Sequence, residues 1–554
     1  MSTARTGQRG ITPVSPAAST AGPARAGRWR AAPAVWVPPA VAVTVMAVLG
    51  WWDLARRNSM GNDEVATRWA ALLPLPQLEH LLSHVDAVHG LYYLLMHPWM
   101  AVGTSPAVMR IPSVIAMMAA AALLVILASQ LTGSGWAGLF AGLVMALTPA
   151  MSFYAQTARS YAMVYACVVG STLALLHAMR AEAAGGADVR RRWLLYAGLV
   201  ALGGYLNEMS LLVLAAHGIT VLLARYGRPT VERWLAAAGG GVLVTVPLLL
   251  VSVTEHNAVS WIGYPNWPGL KLLLNDYFGA AVAAAALLAV CIVVAVLPGA
   301  PGPAGGKPTP PWWRGGGICL PSVALPLLLV PAAILIAESF VLKPLYVDRY
   351  VLYGEAGAAL LAGGGAYRIG QWLAHAVGRR SAGTPGPART AGPAGRARVR
   401  ALIWVPGVVV CLCFGVLQFG AQQHARTPGS RRYDYGGPSG YVGANARKGD
   451  GILFFGSFYR KARLAYPQDF RYTTDFAMAQ SPLQTGDFKG TDKPFAVTGP
   501  LMLRYRRIWV VGNDPLAPKA DVQARDQSIE LMRDFTLIRR QQFHGILVTL
   551  WLRR

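Results

Sequence analysis

Acidic residues are scarce in this sequence. Aspartate and glutamate number 25 among 554 residues, half the 50 lysines and arginines, and charged residues of both signs make up only 14% of the chain. Soluble globular domains carry about a quarter charged residues, so a surface solvated by water along the whole chain is excluded. Cysteine is thin as well. Cys167, Cys291, Cys319, Cys411 and Cys413 all lie inside apolar stretches, and none has metal-ligand spacing. That excludes the disulfide framework of small secreted domains and a zinc site built on cysteine. Internal repeats are also lacking, which removes the paired-repeat signature of many transporters.

Apolar residues fill the gap. They make up 54% of the chain and run in blocks of about 20, long enough to cross a bilayer as helices. Residues 34–50, 113–131 and 320–337 are examples. About eleven transmembrane helices are expected, near 34–51, 111–131, 136–150, 161–179, 193–206, 210–223, 234–251, 279–297, 318–340, 350–367 and 401–419. Glycine and alanine within them suit close helix packing in lipid. The formal charge of +25 does not indicate nucleic acid, because the basic residues gather between apolar blocks: Arg5, Arg9, Arg25, Arg28 and Arg30, then 190–192, 225–233 and 368–400. These clusters fall on alternate sides of successive blocks, the positive-inside pattern. The expected topology is a multi-pass cell-membrane protein with its N-terminus in the cytoplasm and its C-terminal region outside.

Three regions follow. Residues 1–33, rich in proline, alanine, serine and arginine, read as a disordered cytoplasmic tail. Residues 34–419 form the membrane domain; its first block shows no cleavage site and reads as an uncleaved anchor. Residues 420–554 lose the long apolar runs and alternate strand-like segments (451–455, 507–511, 545–552) with helical ones (457–465, 521–535). The expected fold class is therefore an α-helical polytopic membrane protein with a small extracytoplasmic α/β domain. Within the membrane domain, 52–109 and 252–278 read as outer loops, and 298–317 and 369–398 as Pro/Gly/Arg-rich cytoplasmic loops.

Polar residues able to do chemistry collect at the outer face. Asn62-Asp63-Glu64 places two carboxylates just past the first helix. They read first as a helix start, with Asn62 capping and the acids complementing the dipole; a general base can stand in the same place, since a helix N-terminus also keeps an acid ionised. Asp86, His89, Tyr92 and Tyr93 follow in the same loop; a lone histidine and acid are a weak metal signal, and no metal site is assigned. Arg159, in Tyr154-Ala-Gln156-Thr-Ala-Arg159-Ser-Tyr161, is costly at membrane depth unless it snorkels or meets an anion. Lys343 and Arg349, at another outer helix end, can hold a phosphate, while the neighbouring Asp348 can pair with a basic group. Glu208 sits at a tight outer turn, and His256, Trp261, Trp267 and Lys271 offer an aromatic and basic wall. An anionic lipid headgroup would sit among these groups.

The ordered set Asp63-Glu64, Asp86-Ala-Val-His89-Gly-Leu-Tyr92-Tyr93-Leu-Leu-Met-His97, Arg110-Ile-Pro112-Ser113, Gln156-Thr-Ala-Arg159-Ser-Tyr161-Ala and Arg349-Tyr350 resembles the bacterial membrane glycosyltransferases of the GT-C fold, in particular relatives of the family 39 protein mannosyltransferases. The resemblance spans residues 34 to about 419. It implies transfer, with inversion, of a hexose such as mannose from a polyprenyl-phosphate donor to a hydroxyl of a protein, glycan or lipid acceptor outside the membrane. By the same resemblance Asp63 is the base and Glu64 its partner or an acceptor-positioning group. Arg159, Lys343 and Arg349 neutralise the departing phosphate, and Asp86, His89, Tyr92 and Glu208 line the acceptor or sugar site. The chain departs from the family at His89-Gly90-Leu91, at Thr157 and at Asn207-Glu208-Met209. No cofactor is assigned. A transporter or lipid flippase would want ionisable groups near mid-membrane, and a non-catalytic envelope assembly protein leaves the first outer loop unexplained.

Overall fold

The computed structural model describes residues 36–55, 59–255, 261–297, 316–382, 393–517 and 521–554. The expected tail 1–33, most of the 298–317 loop and His256 lie outside the described residues.

All eleven apolar blocks are helical over most of their length. Among the described residues, five helices are long and apolar enough to cross a membrane by themselves: Pro106–Thr132, Tyr161–Ala183, Arg228–Thr254, Leu320–Val341 and the Ala401–His424 portion of Pro393–His424. Two bent pairs also pass when joined. Gly135–Leu147 and Pro149–Ala155 meet at 68°, where Pro149 has no N–H to continue the ladder. Trp267–Phe278 and Val282–Val296 meet at 63°, across Gly279 in the left-handed region (φ 88°). The expected eleven therefore divide into five to seven spans by length and composition, with shorter or more polar helices such as Val37–Trp51 and Val189–Leu206 beside them. Helix Glu355–Ala382 packs centrally against several of these. At Gly365 a Cβ would stand 1.8 Å from the Cys291 carbonyl oxygen, so only glycine lets the two backbones approach. The same helix and Pro393–His424 extend into 369–398, expected as a loop: its alanines and arginines are good helix formers, and the spanning segments supply the nucleus.

The segment between helices Val37–Trp51 and Pro106–Thr132 holds three short helices, Asn62–Leu72, Leu75–Leu82 and Gly90–Trp99. Above it lies the C-terminal α/β unit. Its sheet has strand order β2-β1-β5-β7-β6, with β1 Asp450–Phe455, β2 Thr473–Asp475, β5 Arg507–Gly512, β6 Phe535–Phe543 and β7 Ile546–Arg553. A small ribbon pairs β3 Met478–Gln480 with β4 Thr491–Asp492. Strands β1, β2 and β5 run parallel, and β7 and β6 add antiparallel. β1 is buried at every position, as a strand covered on both faces must be, hence its continuous apolar run. β6 was not expected: its Arg539-Arg540-Gln541-Gln542 stretch is an exposed edge with no apolar alternation.

Helix Asn62–Leu72 is the floor on which this unit rests. Lys461 Nζ donates to Asn62 Oδ1 at 2.8 Å, Ser59 Oγ to Asp434 Oδ1 at 2.6 Å, and the Trp69 and Phe488 rings meet edge to face at 5.5 Å. This segment of short helices and the C-terminal unit thus share one face. Helix Tyr161–Ala183 starts at that face and ends about 35 Å away at 1.5 Å per residue, beside Arg190 and Arg233.

Candidate active site

The turn before helix Asn62–Leu72 is closed by Gly61, in extended conformation, not by Asn62. Asn62 is already helical, and its side chain instead accepts from Lys461. Asp63 and Glu64 fall in the first turn, where the helix dipole favours anions. Being adjacent, they point about 100° apart, and their surroundings differ completely.

Glu64 is 1% exposed and both oxygens are taken. They accept from Gly61 N at 3.1 Å, Ala158 N at 3.1 Å, Arg110 Nε at 2.8 Å, Arg110 Nη2 at 2.9 Å and Arg431 Nη1 at 2.5 Å. Arg110 also donates to the Leu54 and Ser59 carbonyls, each at 2.6 Å, and Arg431 to the Gln156 carbonyl at 3.0 Å. This carboxylate joins four chain segments and has no coordination left for a reacting hydroxyl. The expected catalytic or acceptor-positioning part of Glu64 is therefore corrected to a brace.

Asp63 faces the other way. Its side chain is 30% exposed and lies 3.9 Å from Arg349 Nε. Burial pushes its carboxyl up, but Arg349 and then Arg159, with Lys461 behind them, outweigh this and hold it below the ordinary value, so it is ionised. Arg349 donates from Nε to Tyr161 Oη at 2.9 Å, and its guanidinium lies against the Tyr161, Trp261 and Tyr350 rings at 5.6 to 5.9 Å. Its charge also reaches Asp276.

A second charge pair stands behind. Asp86, in left-handed backbone (φ 65°), accepts from Arg159 Nη2 at 3.0 Å and from Tyr93 Oη, which in turn accepts from Arg159 Nη1 at 2.5 Å. Burial raises the Asp86 carboxyl, but Arg159 and the Tyr93 hydroxyl more than reverse this, leaving it well below the usual carboxylate range. Burial pushes the His89 imidazole down to about 3, and Arg159 adds to the effect, so His89 is neutral. His89 Nδ1 and Arg159 Nε are buried without a hydrogen-bond partner among the described residues. Both point to a polar ligand in this space.

The structure brings Asp63, Asp86, His89, Arg159 and Arg349 together. It separates Lys343, which is exposed and lies beside Glu208; Glu208 is hydrogen-bonded to Ser252. Tyr92 has no exposed surface. Of the expected aromatic wall, Trp261 is in place over Arg349. Three cations were missed or left without a part in the sequence reading: Arg110, Arg431 and Lys461. Arg110 gave a signal, a lone arginine in an otherwise apolar helix. Arg431 and Lys461 gave none, because their partners lie 367 and 399 residues away.

This assembly, a helical membrane bundle carrying a small α/β unit over a short-helix outer segment, is the GT-C fold. Among solved structures, the chain is similar to ArnT from Cupriavidus metallidurans. The form bound to undecaprenyl phosphate aligns with TM-score 0.54 at 13% identity, covering 94% of this chain and 98% of ArnT; the apo form gives 0.54 at 12%, covering 92% and 97%. It is also similar to the arabinofuranosyltransferase AftD from Mycobacteria, with TM-score 0.46 at 14% identity, over 93% of this chain and 39% of AftD. No protein-family model matches the sequence, and no curated protein matches it.

Proposed function

We propose that the chain is a multi-pass cell-membrane glycosyltransferase that moves a sugar, a hexose such as mannose, from a polyprenyl-phosphate carrier to an acceptor hydroxyl on the extracytoplasmic side. Residues 34–419 form its membrane domain and 420–554 its outer domain. The observation that carries this reading is Asp63: an ionised, accessible carboxylate at a helix N-terminus, 3.9 Å from a guanidinium that is stacked among aromatic rings. ArnT, the similar fold, was solved with undecaprenyl phosphate bound, which supports a polyprenyl phosphate as the carrier.

The chemistry follows from these groups. Asp63 accepts the proton of the acceptor hydroxyl as its oxygen attacks C1 of the sugar. The bond from C1 to the phosphate oxygen breaks on the opposite face, so configuration inverts and charge builds on the phosphate. Arg349, whose Nη groups make no hydrogen bond among the described residues, and Arg159, whose Nε has none among them, stabilise that charge. Asp86 and Tyr93 fix the Arg159 fork. His89, being neutral, offers a hydrogen bond without adding charge. Lys343 and Glu208 stand outside this set.

The test is consumption of a radiolabelled polyprenyl-phosphate hexose by the purified protein in liposomes, with release of the free carrier phosphate. Turnover that disappears in Asp63→Asn supports the reading. Failure of the wild-type protein to consume or bind any lipid-linked sugar contradicts it.

A further inference from the structure

The C-terminal unit does more than rest on the first outer segment: it sends a cation into the site. Lys461 opens helix Lys461–Ala465, just after the turn that follows β1, and is 6% exposed. Its ammonium has three N–H groups and one hydrogen bond, to Asn62 Oδ1 at 2.8 Å, the residue next to Asp63. The Phe458 and Phe488 rings flank it at 4.7 and 5.2 Å. Among the described residues no carboxylate comes within 4.0 Å, although Asp86 and Asp63 act on it at longer range and Arg159 and Lys489 oppose them.

A buried ammonium with one neutral acceptor is an expensive arrangement. Charges taken out of water are normally paired, because aromatic faces and an amide oxygen recover only part of the lost hydration. Around Asp63 and Asp86 stand Arg159, Arg349 and Lys461, three cations on three separate segments, of which Arg159 is paired with Asp86 and Arg349 lies nearest Asp63. Burial, the largest influence, pushes the ammonium down to about 8, as expected for a cation still short of an anion.

We infer that Lys461 is a binding residue for the phosphate of the polyprenyl-linked donor, so that the outer domain completes the active site of the membrane domain. The inference rests on the function proposed above. It assigns the C-terminal domain a direct part in donor recognition, with Asn62 aiming the ammonium. Docking of that domain through Arg431 and Glu64 then becomes a condition for donor binding.

The experiment uses the full-length protein in detergent and two probes, undecaprenyl phosphate and undecaprenol, which differ only in the phosphate. The wild type is expected to bind the phosphate at least tenfold more tightly. Lys461→Met should lose most of that preference while binding undecaprenol unchanged, which also reports that it is folded, and Lys461→Arg should keep it. If Lys461→Met retains the full preference while Arg349→Ala loses it, the inference is overturned and the proposed function stands. If the wild type shows no preference for the phosphate, both fall.

Discussion

Arg110 and Glu64 meet through two hydrogen bonds, 2.8 and 2.9 Å, with 0% and 1% of their side chains exposed. The pair separates two adjacent acids into different tasks. Glu64 is spent on structure, and by fixing the first turn of its helix it presents Asp63 to the site. Removing one member of a buried pair leaves the other charge uncompensated, at a cost of about 3–5 kcal/mol. Glu64→Gln leaves Arg110 and Arg431 both short of an anion and is expected to lower the unfolding temperature sharply or prevent folding. Asp63→Asn, at a position 30% exposed, is expected to change it little. Thermal unfolding of the two variants in detergent checks this order.

Asp86 acts through Arg159. Asp86→Asn keeps the shape but removes the charge that holds the guanidinium fork, so kcat is expected to fall by about tenfold or more, as the loss of a charge-assisted hydrogen bond implies. Lys343 is exposed and stands outside the proposed set, so Lys343→Ala should by contrast change neither kcat nor donor KM. A steady-state comparison of the two decides.

Lys461 gives a dependence on pH with two opposite signs. Its ammonium, faced by Asn62, Asp63, Asp86, Arg159 and Lys489, titrates at about 8 in the folded chain against 10.5 when unperturbed. Affinity for undecaprenyl phosphate is expected to fall as pH rises through about 8, and Lys461→Arg to abolish the fall. Between about 8 and 10.5 the unfolded chain binds more protons, so this residue makes stability rise with pH over the window where binding weakens. Paired titrations of binding and unfolding separate the two.

Sidedness is open to direct labelling. Cysteines replacing Ser83 and Ser457 in a cysteine-free chain should react with a membrane-impermeant maleimide from outside intact cells, and one replacing Ala187 should not. The first two lie on the face shared by the outer segment and the C-terminal unit; Ala187 lies at the far end of helix Tyr161–Ala183, beside Arg190. Labelling of Ala187→Cys alone reverses the topology.

Much of the architecture was legible because hydrophobic periodicity is local. The eleven apolar blocks are helical, and β1, β5, β7 and the helix Val522–Asp534 stand where alternation and apolar runs placed them. β6 was not, since an edge strand of arginine and glutamine has no buried face to mark it. In the site, Asp63, Arg159 and Arg349 were legible as charges at outer helix ends. What the sequence could not show was how charges pair across it. Asp63 and Glu64 look alike side by side, and only the meeting of Glu64 with Arg110 and Arg431 tells brace from base. Lys343 and Arg349, six positions apart, look like one phosphate clamp, yet the turn between them puts Lys343 beside Glu208.

The central claim is that Asp63 takes the proton of the acceptor. Asn in its place preserves size and position in the helix's first turn while removing the base. The deciding measurement is single-turnover sugar transfer by Asp63→Asn, alongside its binding of undecaprenyl phosphate. Transfer is expected to fall roughly 10²–10⁴-fold, as the loss of a general base implies, with carrier binding and folding retained. Transfer at near the wild-type rate would contradict it and leave Asp63 as no more than a favourable charge at the start of a helix.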